Sequence, residues 1–250
     1  TNFPIMINLG EHLPGFNYYD CRPGGTDIRF MDETESTELN YEIEQWNTNG
    51  TSCLWVQVPQ LTSNSSIWIH WNNINATVPP PFTTNGSTWA NGYAGVWHLN
   101  STNIYGQLPD STACGYNGAS TSNTSANGKI ANGYLFDGST YINVGDVMPA
   151  GSHTKMAWVF RTNSAAAANH VLSGGNGVTD HALLIQANSG TVLSSGHNGY
   201  WYQTQDPFPV PVNTWSLAAV TFDADTLTMT LYKDVTAVSQ SMPVNIQNNG

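Results

Sequence analysis

The sequence predicts an all-β protein of two modules, a small β-sandwich followed by a larger two-sheet sandwich with jelly-roll connections. Short runs rich in Val, Ile, Tyr, Trp and Thr recur at intervals of about ten residues, separated by Asn-Gly, Gly-Gly and Pro signals. Helical periodicity is missing beyond one turn near Ala165 to Asn169. Between the two halves, residues 76–92 hold three consecutive prolines among Asn, Thr and Gly, the composition of an ordered linker.

In the first module, residues 1–75, strands are expected at 3–9, 27–31, 40–46, 53–58 and 66–71. CLWVQV and IWIHW alternate apolar with polar residues, so one face is buried and the other wet. In the second, residues 93–250, strands are expected at 94–99, 129–136, 140–144, 154–162, 169–173, 181–187, 191–195, 200–204, 215–222 and 226–232. Antiparallel strands in that number, joined by Gly- and Asn-rich turns, make a two-sheet sandwich. Trp158 in AWVF and Trp215 in WSLAAVTF are assigned to its core.

Composition narrows the function. Charged residues make up 9% of the 250, and net charge is −11 with only six Lys or Arg. A chain without a basic patch cannot neutralise a run of phosphates, so nucleic acid and anionic membrane are discounted as partners. No apolar run has the 18 to 20 residues, roughly, that span a bilayer. Solvation through amides and hydroxyls fits an extracellular or cell-surface setting. Cys21 and Cys53 would there close a loop of about 30 residues, worth about 3 kcal/mol if bridged. Cys114 is left as a free thiol or an intermolecular link. Six N-x-[ST] sequons, at Asn49, Asn64, Asn75, Asn85, Asn100 and Asn123, are candidates for glycosylation.

Ordered motifs extend this reading. Residues 3–71 resemble a bacterial domain of unknown function through Phe16-Asn17-Tyr18, Arg22-Pro23-Gly24-Gly25, Asp27-Ile28-Arg29-Phe30, Tyr41-Glu42-Ile43-Glu44, Trp55-Val56-Gln57-Val58-Pro59 and Ile67-Trp68. Residues 93–245 resemble the concanavalin A-like, laminin-G-like jelly roll of bacterial and archaeal surface proteins. That resemblance rests on Val96-Trp97-His98-Leu99, Asp110-Ser111-Thr112, Tyr116-Asn117-Gly118, Gly128-Lys129-Ile130, Phe136-Asp137-Gly138, Trp215 through Asp223 and Leu231-Tyr232-Lys233-Asp234. Members of both families carry an additional terminal strand that is not found here, which implies a longer chain or a strand supplied by a neighbour. The resemblance also implies Ca²⁺ near the loop 110–118, with Asp110, Asn117 and Asp137 as oxygen donors.

Catalytic patterns are weak. All six glutamates precede residue 45, so the jelly-roll half has none for the carboxylate pair of a glucanase. Asp223 and Asp225 in FDADT read as turn residues, and the Asp32–Glu38 run reads as a solvated hairpin loop. There is no G-x-S-x-G, no H-E-x-x-H and no paired Cys/His spacing. His98 reads as a strand residue. Sugar recognition has a clearer candidate in HNGYWYQTQDPF, where Tyr200, Trp201 and Tyr202 stand beside Gln203, Gln205 and Asp206. The expected function is therefore non-enzymatic adhesion, with glycans or surface proteins as partners and Ca²⁺ as the one cofactor. The alternative is a structural subunit whose filament joins copies of the chain through shared strands, and a glycan hydrolase ranks last.

Overall fold

A computed structural model describes residues 2–102, 105–120, 124–147, 151–162, 169–174, 182–186, 191–197 and 202–242, with the backbone alone for His197 and Tyr202. The turn expected at Ala165 to Asn169 lies largely outside them. The chain groups into two compact units, residues 1–145 and 146–250.

The first unit is built on two three-stranded antiparallel sheets. One has the order β1 (Phe3–Leu9), β5 (Ser52–Val58), β4 (Tyr41–Gln45), and the other β3 (Glu38–Leu39), β2 (Arg29–Met31), β6 (Trp68–His70). Strict alternation along β5 sends Ser52, Leu54, Val56 and Val58 inward, where the register sets them beside Leu9, Ile7, Ile5 and Phe3 of β1. Leu9, Leu54, Val56 and Tyr41 from one sheet meet Phe30 and Leu39 from the other in a single core. Tyr41 is fully buried, so its hydroxyl needs a partner, and it donates to the Ile28 carbonyl at 2.6 Å.

Residues 76–92, read as a linker, fold back onto this unit. Pro81–Thr83 and Ser87–Trp89 form two short 3-10 helices, and Thr83, Thr88 and Trp89 are buried. Phe82 packs edge-on against Tyr41, with ring centroids 5.6 Å apart. Gly86 has a left-handed φ of 87°, and a Cβ there would come within 2.3 Å of the Ala113 nitrogen, so only glycine permits this crossing. The stretch 93–145, placed by sequence in the jelly roll, groups with the first unit. It carries two short ladders, β7 (Ala119–Ser120) with β10 (Ile142–Asn143) and β8 (Thr124–Asn127) with β9 (Asn132–Leu135). No strand forms at 94–99, and Leu99 takes a left-handed φ of 58°.

The second unit is a sandwich of two four-stranded antiparallel sheets. Their orders are β11 (His153–Phe160), β16 (Trp215–Asp223), β17 (Thr228–Lys233), β18 (Thr236–Ser241), and β12 (Asn169–Ser173), β13 (Ala182–Gln186), β14 (Val192–His197), β15 (Tyr202–Pro209). Leu183, Ile185 and Leu193 from the second sheet interlock with Ala218, Val220, Phe222, Met229 and Leu231 from the first. This inner set fixes which residues must point out. On β11, Lys155, Ala157 and Val159 face in, so Met156, Trp158 and Phe160 face out and are 59%, 41% and 42% exposed. On β16, inward Ser216, Ala218, Val220 and Phe222 leave Trp215 and Leu217 on the outer face, with Trp215 against Phe160 at 5.3 Å. The assignment of Trp158 and Trp215 to the core is therefore corrected, since the small and β-branched residues between them set the register. The β16–β17 turn behaves as its sequence predicts, with the Asp223 carboxylate accepting from the backbone of Asp225 and Thr226. Among the described residues, no helix is long and apolar enough to cross a membrane.

Candidate functional site

The outward face of the β12–β15 sheet is defined by what its core face excludes. Because Leu183, Ile185 and Leu193 point into the core between the sheets, their neighbours Leu184 and Ser194 point to the other face, where they too are buried. Register then aligns His170, Leu184, Ser194 and Gln205 in one cross-strand row, with Ala182, Gly196 and Gln203 in another. Gln186 joins the rows by donating to the Gln203 side chain at 3.0 Å and accepting from Gln205 at 3.1 Å. The Ser194 hydroxyl is buried without a hydrogen-bond partner. His170 shares a hydrogen bond with the Ser173 hydroxyl, and burial pushes its imidazole below the ordinary 6.5, towards the neutral form. The named residues of this face carry no carboxylate.

Only part of the expected sugar-binding set falls there. Tyr200 and Trp201 lie outside the described residues, as does the side chain of Tyr202. Gln203 faces out, whereas Asp206 is on the opposite side of β15, 2% exposed, with Lys233 Nζ at 2.7 Å and the Phe208 backbone N–H at 2.8 Å. Asp206 is thus an internal ion-pair partner rather than a ligand contact, a correction that follows from the two-residue period of the strand. Gln186, His170 and Ser194 were not singled out by sequence, because nothing local shows that three separate strands will align them.

A second polar cluster lies on the outer face of the β1–β5–β4 sheet. Two residues apart on β4, Glu42 and Glu44 both project from this face, with a bulge between Ile43 and Gln45. His98 sits between them, with Nδ1 3.2 Å from Glu44 and Nε2 3.5 Å from Glu42. The indole of Trp55 donates to Glu44 at 2.6 Å, the indole of Trp89 donates to Glu42, and the Ser111 hydroxyl donates to Glu42 at 2.7 Å. Burial alone would lower the His98 pKa, but the two carboxylates outweigh it and hold the imidazolium up to about 9. Glu42 is conversely held below its ordinary 4.5, the effect of burial being outweighed by His98, Ser111 and Trp89. With His98 11% and Glu44 3% exposed, this is a clamp that binds the 87–111 segment to the sheet, not an open reactive centre. Reading His98 as an ordinary strand residue is corrected accordingly.

The nominated calcium donors hold turns. The two carboxylate oxygens of Asp110 accept from the backbone of Val96, Thr112 and Tyr116 and from the Thr112 hydroxyl, at 2.8–3.0 Å. Asn117 Oδ1 accepts from the Asp110 backbone at 2.9 Å, and Asp137 caps its own turn through Ser139 and Thr140. These oxygens face protein donors, so the three residues do not form an open cage for a hard cation. Among the described residues, no three His, Cys, Asp or Glu side chains gather as a metal site.

Cys21, Cys53 and Cys114 are all free thiols. Cys53 lies on the face of β5 opposite the core, with Asn8 Oδ1 at 3.7 Å, whereas Cys21 packs against the core itself. The bridge expected from the sequence does not form, because alternation along β5 turns one thiol away from the other's environment. Burial, reinforced by Asp27 and Asp20, pushes the Cys21 thiol up to about 12. Of the sequons, Asn49, Asn64, Asn75 and Asn85 are exposed, while the Asn100 amide donates to the Glu44 carbonyl at 3.2 Å and Asn123 lies outside the described residues.

Residues 24–88 match the model of a domain of unknown function, DUF2341, and residues 136–249 match that of the concanavalin A-like lectin/glucanases superfamily. No curated protein and no solved structure matches the chain.

Proposed function

We propose that this chain, in which a DUF2341 domain is followed by a concanavalin A-like domain, is a non-enzymatic extracellular adhesion segment whose second unit binds glycans. The observation that carries this reading is the half-buried Gln186–Gln203–Gln205 amide chain on the face of this sheet turned from the core. Side-chain amides match sugar hydroxyls as paired donors and acceptors, and a neutral His170 adds no charge to the face. The jelly-roll half has no glutamate, and Asp206 faces inward to Lys233, which supports recognition over hydrolysis.

A glycan array probed with the whole chain tests this. Gln203→Ala and Gln205→Ala are expected to weaken retained glycans by roughly 3- to 10-fold each, the worth of one or two neutral hydrogen bonds. Glycan binding untouched by both variants would place the ligand elsewhere. Calcium is expected to leave both the array pattern and the thermal midpoint unchanged relative to EDTA, since Asp110 is already satisfied by protein donors.

Self-association is the second reading. β1 and β18 each find a partner within the chain, β5 and β17 respectively, and each stands at the edge of its sheet. Edge strands present a row of backbone donors and acceptors to any added strand. Polymers seen by electron microscopy, with strands shared between copies, would favour this reading over adhesion by single chains.

A further inference from the structure

Tyr19, Asp20, Cys21, Arg22, Asn72 and Ile74 line a cleft of about 210 Å³ in the first unit. Its two walls come from distant parts of the sequence and are fixed by one carboxylate. Asp27, 1% exposed, accepts from the Arg22 backbone at 2.8 Å and from the backbone of Asn72 and Asn73 at 2.9 and 3.3 Å. Each wall is also anchored by its neighbour in sequence. Tyr18 is buried and donates its hydroxyl to the Leu9 carbonyl at 2.7 Å, and Trp71 packs edge-on against Phe16 at 5.4 Å. Asn72 is held in the left-handed region at φ 68°, a conformation more often found where surrounding structure enforces it.

The side chains facing this rigid frame have polar groups in reserve. The Arg22 Nε is buried with no hydrogen-bond partner, and no carboxylate forms an ion pair with its guanidinium among the described residues. By contrast Arg29 pairs with Glu38 and Lys233 with Asp206. Tyr19 is 94% and Ile74 73% exposed, so apolar surface stands beside a guanidinium that has no ion-pair partner among the described residues. The geometry points to a second ligand site here, one that binds a neutral sugar ring. Tyr19 and Ile74 supply the apolar contact for the C–H face of a pyranose, Arg22 and Asn72 donate to its oxygens, and Asp20 accepts from its hydroxyls. Neutrality follows from the local charges: Asp20 offsets Arg22, and buried Asp27 behind them, in a chain of net charge −11, opposes an anionic ligand. The Cys21 thiol, held protonated by burial, contributes packing and not reactivity.

The test is an array of neutral, sialylated and sulfated oligosaccharides probed with the whole chain, followed by titration calorimetry on the glycans retained. At least one neutral glycan is expected to bind the wild type and the Gln203→Ala/Gln205→Ala double variant equally. Tyr19→Ala and Arg22→Ala are expected to weaken that glycan by about tenfold or more, the cost of losing a ring contact or a charged hydrogen bond, with unchanged thermal midpoints. Binding that depends only on Gln203 and Gln205 overturns this site while leaving the jelly-roll site standing. The absence of any neutral glycan, or retention of sialylated or sulfated ones alone, overturns it as well.

Discussion

His98 shows how far one residue departs from its sequence context. In VWHLN it alternates like any strand residue, yet it is the imidazolium between two carboxylates, with two indoles and a hydroxyl completing their hydrogen bonds. Removing one member of a buried charge cluster leaves the others uncompensated, so His98→Ala is expected to cost roughly 3–5 kcal/mol in urea unfolding. The pH dependence follows from the direction of each shift. His98 titrates near 9 when folded against 6.5 as its ordinary value, so its contribution is complete below pH 6.5 and is lost as pH rises to about 9. Glu42, lowered from 4.5, contributes above that value, and the contribution is lost as acid protonates the folded form. The unfolding midpoint of the first unit should therefore fall between pH 6.5 and 9 in the wild type and not in His98→Ala; parallel slopes would show that His98 is not charged by the two glutamates.

At the scale of elements, alternation decides what each substitution costs. Leu231 of β17 is 1% exposed in the second core, and Leu231→Ala should destabilise by about 2–5 kcal/mol. Trp158, the larger residue, is on the outer face of β11, and Trp158→Ala should cost less than half as much in the same assay. The reverse order would mean that the outer face is the packed one. β5 makes a similar prediction about sulfur. With Cys53 turned from the core and Cys21 packed against it, a reducing agent should leave the unfolding midpoint of the first unit unchanged, and a fall on reduction would reveal a bridge. The strands themselves were legible: β1, β5, β12 and β16 lie within about a residue of the runs picked out by pattern. The 94–99 run was not, because its hydrogen bonds go elsewhere than to a ladder: the Val96 backbone bonds with Asp110 and Ser111, Trp97 donates to the Tyr116 carbonyl, and His98 sits between Glu42 and Glu44.

For the whole molecule, two compact units with separate cores predict two calorimetric transitions. The transition of the unit that contains His98 should fall between pH 6.5 and 9, whereas that of the second unit, where burial pulls the Lys155 ammonium down to about 7, should rise above pH 7. A single transition moving as one would show that the units unfold together. Two proposed sugar sites on one chain also bear on affinity, since weak contacts at both ends of a polyvalent surface multiply when they engage together.

Strand period, turn chemistry and composition are local properties, and by themselves they determined the all-β class, the succession of two modules, the turn at Asp223 and the confinement of every glutamate to the first 44 residues. Contacts between residues far apart in the chain are not local, and only the tertiary structure decided them. It set Glu42 and Glu44 beside His98, aligned Gln186 with Gln203 and Gln205, turned Asp206 inward to Lys233, and closed the cleft between Arg22 and Asn72 through Asp27. The physical reason is register: a two-residue period says that alternate side chains share a face, but which face meets the core depends on the strand that pairs beside it.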